Sequence, residues 1–406
     1  MHFRVAAIII AGFSTIFVAF GIRYSYGVLL PEMLSSMAIS NTEGGIIYSS
    51  YFLTYTLGSP VLGLMVDRTN ARIILTVFVA LLGIGAGLMA TASTVFHASL
   101  FFAIAGLGHS ACWAPVVTIV MRWVSQQRRG ILLSVVDLGS ASSIAFWSIM
   151  IPIIIIPFDW RMVWIFLGLV ALMSAGMNFF FIKDRPPATT KPTQPGTTVE
   201  KRSTSIRDTY RTIFSDRKFH LIALSYLMIS FSILIPFTFL TAYGIQKLHI
   251  PYSSAAILIA VIGISGAVGK LILGYVSDKV GRVRIMMLCS VLVGAGGLGM
   301  ALVQNFSLLV ISTIVFGAGY GTIWPQYAAS ARDLFSEEHS GSVIGLWTLY
   351  HGLGSMLAPV IAGWSIDATG SYFWAFIMTI ASAVFSMLLL LPALGSNNSK
   401  NIFLKG

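Results

Sequence analysis

Apolar stretches of bilayer-crossing length recur along the whole chain, and they leave very few folds open. A spanning helix needs about 20 predominantly apolar residues. By that measure the sequence predicts spans at 5–30, 44–66, 73–91, 98–122, 131–156 and 161–183. A second set follows at 219–244, 253–277, 284–302, 307–330, 341–364 and 372–394. Lipid cannot satisfy exposed backbone N–H and C=O groups, so each span must be helical. The expectation is an all-α membrane protein of twelve transmembrane helices in two six-helix bundles. Pro152 and Pro157 are expected to interrupt the end of the fifth span. The first apolar run is too long for a cleavable signal peptide and lacks a small-residue cleavage site.

The domain reading follows from where the apolar pattern stops. Residues 1–183 form the first bundle, 184–218 a cytosolic linker, 219–394 the second bundle and 395–406 a cytosolic tail. The linker begins Asp184-Arg-Pro-Pro and runs through a Thr/Pro/Lys/Gly stretch that cannot bury a core. Its last part, 205–219, is expected to lie as a short helix on the membrane surface.

Charge sets the orientation. Of the 25 Lys and Arg residues, Arg161 and Lys247 alone fall in one set of loops, and Arg23 and Lys270 fall inside spans. The rest lie on the other side with the linker and both termini, which the positive-inside rule makes cytoplasmic. The same bias accounts for the net charge of +11 without nucleic acid, since bases at that surface meet anionic lipid. Cys112 and Cys289 both fall in spans, with no metal-ligand spacing around them. No phosphate-binding loop or nucleophile elbow is present, so the sequence reads as neither an enzyme nor an ATP-driven pump. It calls for no cofactor.

One loop occurs twice. Gly63-Leu-Met-Val-Asp67-Arg68-Thr-Asn-Ala-Arg72 recurs as Gly274-Tyr-Val-Ser-Asp278-Lys279-Val-Gly-Arg282-Val-Arg284. A repeat at half-length spacing points to duplication. With twelve spans in two halves, this resembles the major facilitator superfamily of secondary transporters, over nearly the whole chain. The first copy has Asn70 and Ala71 where Gly and Arg are usual, a departure expected to loosen the latch of that half.

Further pieces resemble the branch of monocarboxylate transporters and oxalate/formate antiporters. They are Gly21-Ile-Arg23-Tyr24-Ser-Tyr26-Gly27, Gly106-Leu-Gly108 with Ala114-Pro115, Gly269-Lys270-Leu-Ile-Leu-Gly274, and Gly317, Gly321 and Pro325 before Asp333. The resemblance implies a small organic anion as substrate, carried by alternating access, with a proton or counter-anion for coupling. It implies a cell inner-membrane monomer. It also implies gating by Asp67, Arg68, Arg72, Asp278, Lys279 and Arg282. In that branch a base at the Lys270 position binds the substrate carboxylate. Arginine is usual there, and lysine lacks its planar fork.

A charge inside the bilayer is costly and marks a functional candidate. Arg23 and Lys270 are therefore expected to attract the anion, with snorkelling to an interface as the structural alternative. Asp137 is the carboxylate placed well inside a span, about 10 Å deep at the helical rise. A carboxylate in apolar surroundings can exchange protons near neutral pH unless a cation holds it ionised. Asp137 is thus a candidate proton carrier, or a structural partner of Arg23 or Arg122. The proton-coupled carriers resembled here keep an acid one turn before the base of the eighth span, where this chain has Gly266. That leaves Asp137, His109 or His351 for the role. Imidazole suits either substrate binding or proton relay, although a histidine at a helix contact is commonly just satisfied by a neighbour.

Tyr24, Tyr320 and Trp347 are expected to line the cavity, with His351 beside them. The oxalate/formate antiporter carries a second base in the eleventh span. His351 and Leu353 stand nearest here, which disfavours a small dianion. A proton-driven drug exporter is the rival reading. It predicts an acid-lined cavity and a base four residues before Gly106, where Phe102 stands. A non-transporting sensor on the same fold would carry a large appended domain, and this sequence shows none.

Overall fold

The computed structural model describes residues 2–184, 211, 213–303, 305–335 and 337–398. Among the described residues, thirteen helices of 11 to 36 residues build the membrane part. They are α1 (His2–Met37), α2 (Asn41–Arg68), α3 (Ala71–Met89), α4 (Val95–His109), α5 (Trp113–Trp123), α6 (Gln126–Ile155) and α7 (Trp160–Phe181). The second half has α8 (Arg217–Gln246), α9 (Tyr252–Val280), α10 (Arg282–Leu302), α11 (Phe306–Leu334), α12 (Glu337–Thr369) and α13 (Tyr372–Leu390). The spans alternate in direction, α4 and α5 together making one of them, so two ends can be defined. The basic end holds Arg122, Arg282 and Arg332, and the far end holds the α1–α2 and α12–α13 turns.

The predicted fourth span is two helices. Pro115 cannot donate to the turn before it, and its ring crowds the carbonyl four residues back. The chain accordingly breaks at 110–112, where Cys112 N–H bonds the His109 carbonyl in a tighter turn. Pro152, by contrast, is carried inside a continuous α6, which ends just before Pro157. Of the expected surface helix at 205–219, residues 205–210 and 212 lie outside the described residues; 213–215 are helical, Asp216 caps α8 and 217–219 already belong to α8.

Among the described residues, eleven spans are long and apolar enough to cross a membrane by length and composition. α2 is not one of them, although it is 28 residues long. Between 48 and 59 it carries eight hydroxyl side chains. Six of them are hydrogen-bonded to protein groups, whereas Thr56 Oγ1 is buried without a partner among the described residues. Tyr48 donates to the Arg23 carbonyl (2.9 Å), Ser49 to Met356 O (2.5 Å), Ser50 to Ser99 O (2.8 Å) and Thr54 to Ala103 O (2.6 Å). The hydroxyl-bearing side of α2 thus meets protein, while Ile46, Leu53, Leu57 and Val61 form an exposed apolar stripe on its other side.

In the first half α1 lies against α6 and α7, α3 against α4 and α7, and α2 against α4. The second half repeats the scheme with α8 against α12 and α13, α10 against α11 and α13, and α9 against α11. Three seams join the halves: α2 with α12, α6 with α9, and α1 with α8. The α1–α8 seam is so close that a Cβ at Gly27 would lie 1.8 Å from the Phe237 carbonyl oxygen.

At the far end, Asp367 of α12 caps the first turn of α2. It accepts from Asn41 N (3.1 Å) and Nδ2 (2.9 Å) and from Thr42 N (2.8 Å) and Oγ1 (2.5 Å). Tyr252 of α9 donates to the Val28 carbonyl of α1 at 2.6 Å. At the basic end Arg122 pairs with Asp184, and Arg282 with Asp278 and Asp333, each within its own half.

The two copies of the repeated loop turn differently. Gly281 stands at φ 102°, a conformation that suits glycine. In the first copy Asn70 sits at φ −78° and caps α3, its side chain accepting from Arg72 N and Ile73 N. Ala71 N–H donates to Asp184 at 3.0 Å. The departure at 70–71 thus exchanges a glycine turn for an asparagine cap, and Asp184 ties the loop to Arg122.

Candidate functional site

A cavity of about 140 Å³ lies where the three seams meet. α1 supplies Arg23 and Tyr24, α6 supplies Asp137, α9 supplies Gly266 and Lys270, α11 supplies Tyr320 and Trp324, and α12 supplies His351. Its remaining wall is largely apolar and aromatic, with Phe20, Tyr55, Trp113, Tyr226, Ile144 and Ile233.

Arg23 is 4% exposed. Its guanidinium carbon lies 4.5 Å from the Phe52 ring centre, 5.2 Å from Tyr24, 5.6 Å from Tyr55 and 5.9 Å from Phe20. No described carboxylate stands within ion-pair distance of it, and its Nε has no hydrogen-bond partner. Aromatic faces attract a cation by roughly 0.5–2 kcal/mol each. They soften the burial of the charge without neutralising it.

Lys270 is held differently. Its Nζ lies 2.6 Å from Asp137 Oδ2, an ion pair that crosses the α6–α9 seam from one half to the other. Asp137 therefore pairs with Lys270, rather than with Arg23 or Arg122 as its sequence position suggested. Arg122 pairs with Asp184 at 2.6 Å near the basic end. With Lys270 and Asp137 cancelling, the lining keeps one net positive charge, on Arg23.

Hydroxyls and imidazoles complete the picture. Tyr320 and Tyr24 join the halves through a 3.0 Å hydrogen bond. His351 Nδ1 lies 2.5 Å from Ser230 Oγ, and the ring stacks 4.9 Å from Tyr226. His109 bonds Tyr51 and packs against Phe20 and Tyr55; it stands behind the cavity wall. Trp347 is also away from the cavity. It is 1% exposed, and its indole N–H bonds the Phe219 carbonyl at 3.2 Å. Both side chains are consumed by packing, which their place in an apolar span could not reveal.

Of the gating candidates, the side chains of Asp67 and Arg68 lie outside the described residues. Arg72 lies 4.8 Å from the Phe179 ring centre. Lys279 lies 4.4 Å from the Tyr275 ring, and Arg282 bonds Asp278 at 2.6 Å. No group of three or more His, Cys, Asp or Glu side chains that could hold a metal occurs among the described residues.

Sequence reading missed Phe52, Tyr55, Trp113, Tyr226 and Ser230. The signal for the first two was the polarity of α2, whose aromatics at 48, 51, 52 and 55 share a helical face. Tyr226 and Ser230 stand four residues apart on α8, a spacing that puts both on one side.

The chain is similar to known transporters throughout. The hexuronate transporter of Bacillus subtilis is 23% identical, covering 90% of this chain and 89% of that protein. Monocarboxylate transporter 12 of Rattus norvegicus is 25% identical, covering 79% and 71%. A probable sulfoacetate transporter of Cupriavidus necator is 21% identical, covering 88% and 86%. Among solved structures, the nucleoside transporter NupG superposes with a TM-score of 0.74 at 16% identity over 95% of this chain and 98% of that one. A bacterial homologue of the lysosomal transporter Spinster, inward-facing and occupied, gives 0.75 at 14% identity over 95% and 96%. These likenesses confirm the fold of two six-helix bundles. The family profile of the Major Facilitator Superfamily matches residues 12–302 and 246–406. This chain is a multi-pass membrane transporter that belongs to the major facilitator superfamily.

Proposed function

We propose that this protein carries a small organic monoanion, a monocarboxylate, across the membrane by alternating access, with Arg23 as the seat of the carboxylate. The observation that carries the reading is the contrast between the two cavity cations. Lys270 already has Asp137, whereas Arg23 is buried among aromatic rings with no carboxylate partner among the described residues. A substrate anion supplies what that site lacks. Relatives named for hexuronate, monocarboxylates and sulfoacetate support an anionic substrate.

The rest of the cycle follows from the seams. Residues 1–183 and 219–394 rock as two bundles about the cavity, joined by 184–218, with 395–406 as a tail. The basic end faces the cytoplasm of the cell inner membrane, along with both termini. Closure of the far end by Asp367 and Tyr252 corresponds to a cavity reached from the cytoplasmic side. The loops holding Asp67, Arg68 and Arg72, and Asp278, Lys279 and Arg282, would close that side in the opposite state. A proton or a counter-anion supplies coupling. Protonation of Asp137 would release Lys270 and loosen the α6–α9 seam, which gives a proton a structural consequence. The protein is taken to act as a monomer.

The test is counterflow of labelled lactate, pyruvate, formate and oxalate in proteoliposomes, with and without a proton gradient. Saturable exchange of a monoanion that disappears in Arg23→Gln is the expected result. Failure of all four acids, with transport of a cationic dye instead, would overturn the reading in favour of an exporter of amphipathic compounds.

A further inference from the structure

The charge of the site leaves open what the rest of the substrate must offer, and His351 carries that information. A serine hydroxyl has a single proton and two lone pairs. Ser230 Oγ lies 2.6 Å from the Tyr226 carbonyl one turn back, and it donates there. It has no second proton for His351 Nδ1 at 2.5 Å, so the imidazole is the donor in that contact. A neutral imidazole bears one N–H, and here the network assigns it to Nδ1. An imidazolium would place a second uncompensated cation in the cavity that already holds Arg23. Nε2 is thereby left as a lone-pair acceptor on a ring that lines the cavity, and among the described residues the ring's hydrogen bond is the one at Nδ1.

The ring cannot easily turn to present its other face. It is stacked on Tyr226 at 4.9 Å, with Trp324 at 5.8 Å. Both Arg23, in the first half, and His351, in the second, line the same cavity.

We infer that His351 Nε2 accepts a hydrogen bond from the substrate, and that the substrate class is a hydroxy monocarboxylate. Its carboxylate sits on Arg23 and its hydroxyl donates to Nε2, so that one ligand engages both halves. This rests on the anion reading above. The corresponding oxo acid has only acceptor lone pairs at that carbon, and would set them against the lone pair of Nε2. A site built around a hydrogen bond rejects the analogue that cannot make it, because the buried polar group is then unpaired.

Matched pairs of competitors separate the possibilities. Counterflow in proteoliposomes would be inhibited by lactate against pyruvate, and by mandelate against phenylglyoxylate, pairs with the same skeleton and charge. The expected result is that each hydroxy acid competes at least about tenfold better than its oxo partner, the worth of one hydrogen bond to a buried group. In Ser230→Ala the tautomer is no longer fixed and Nε2 can carry the proton, so the preference should fall to within about threefold. Oxo acids competing as well as hydroxy acids, while uptake still requires Arg23, would overturn the inference and leave the anion reading standing. Uptake indifferent to Arg23 would overturn both. The wild-type comparison decides the point even if the variant fails to fold.

Discussion

Arg23 and Lys270 face one cavity with the same formal charge, yet their surroundings differ. On the first-half wall, α1 and α2 wrap Arg23 in aromatic faces and give it no counter-charge. On the second-half wall, Lys270 reaches across the α6–α9 seam to Asp137 at 2.6 Å. The first arrangement leaves a binding demand for a ligand to meet. The second meets its own demand and ties the halves together. An ionisable residue inside a membrane can therefore serve recognition or conformation, and its partner decides which.

The largest effect expected is on Arg23 itself. Arg23→Gln should lower counterflow at limiting substrate by about 100-fold or more, since losing one partner of a buried charged contact costs roughly 2–5 kcal/mol. Retention of more than a tenth of the wild-type rate would break the contrast. Asp137→Asn should sharpen it from the other wall. It frees Lys270 as a second cation, so inhibition by oxalate should strengthen by about tenfold relative to lactate, the worth of a charged hydrogen bond. An unchanged ratio would mean that Lys270 never faces the substrate.

The far-end seam comes next. Asp367→Ala removes four hydrogen bonds that cross from α12 to α2. At about 1 kcal/mol net each at most, their loss should raise labelling of a cysteine placed at Tyr24 from the far side by several-fold. Gly27→Val should act in the same direction, because its side chain cannot share space with the Phe237 carbonyl. Labelling that stays at the wild-type rate in both would deny that these contacts hold the far end shut. The smallest effect belongs to the first repeat loop. Asn70→Ala should cost about 1 kcal/mol through loss of the α3 cap, read as a modest fall in thermal midpoint in detergent.

Much of the fold was legible because lipid enforces helices and apolar length marks them. The duplicated loop at Asp67 and Asp278 carried the two-half architecture, since both copies lie between spans of matching order. The break at 110–112 was harder to see, although Pro115 announces it. α2 was placed correctly despite its hydroxyls, but their inward bonding depends on α4 and α12, which no local pattern names. The site was legible as a list of charges and not as a set of pairs. Arg23, Lys270 and Asp137 stand out in their spans. Which of them meet depends on how α1, α6 and α9 pack, and a shift of one residue on a helix turns a side chain by 100°. Trp347, expected at the cavity, and His109, a candidate proton carrier, illustrate the same limit, as both side chains bond to neighbours.

The most direct test of the account compares anion binding, without transport, in three purified proteins. Equilibrium binding of radiolabelled lactate would be measured for the wild type, for Arg23→Gln, and for the double variant Asp137→Asn with Lys270→Gln, which removes the ion pair as a unit. The account predicts that binding is lost in Arg23→Gln and stays within about tenfold of wild type in the double variant, because that pair is neutral as a whole. Binding that survives in Arg23→Gln and vanishes in the double variant would contradict it, and would make Lys270 the seat of the anion.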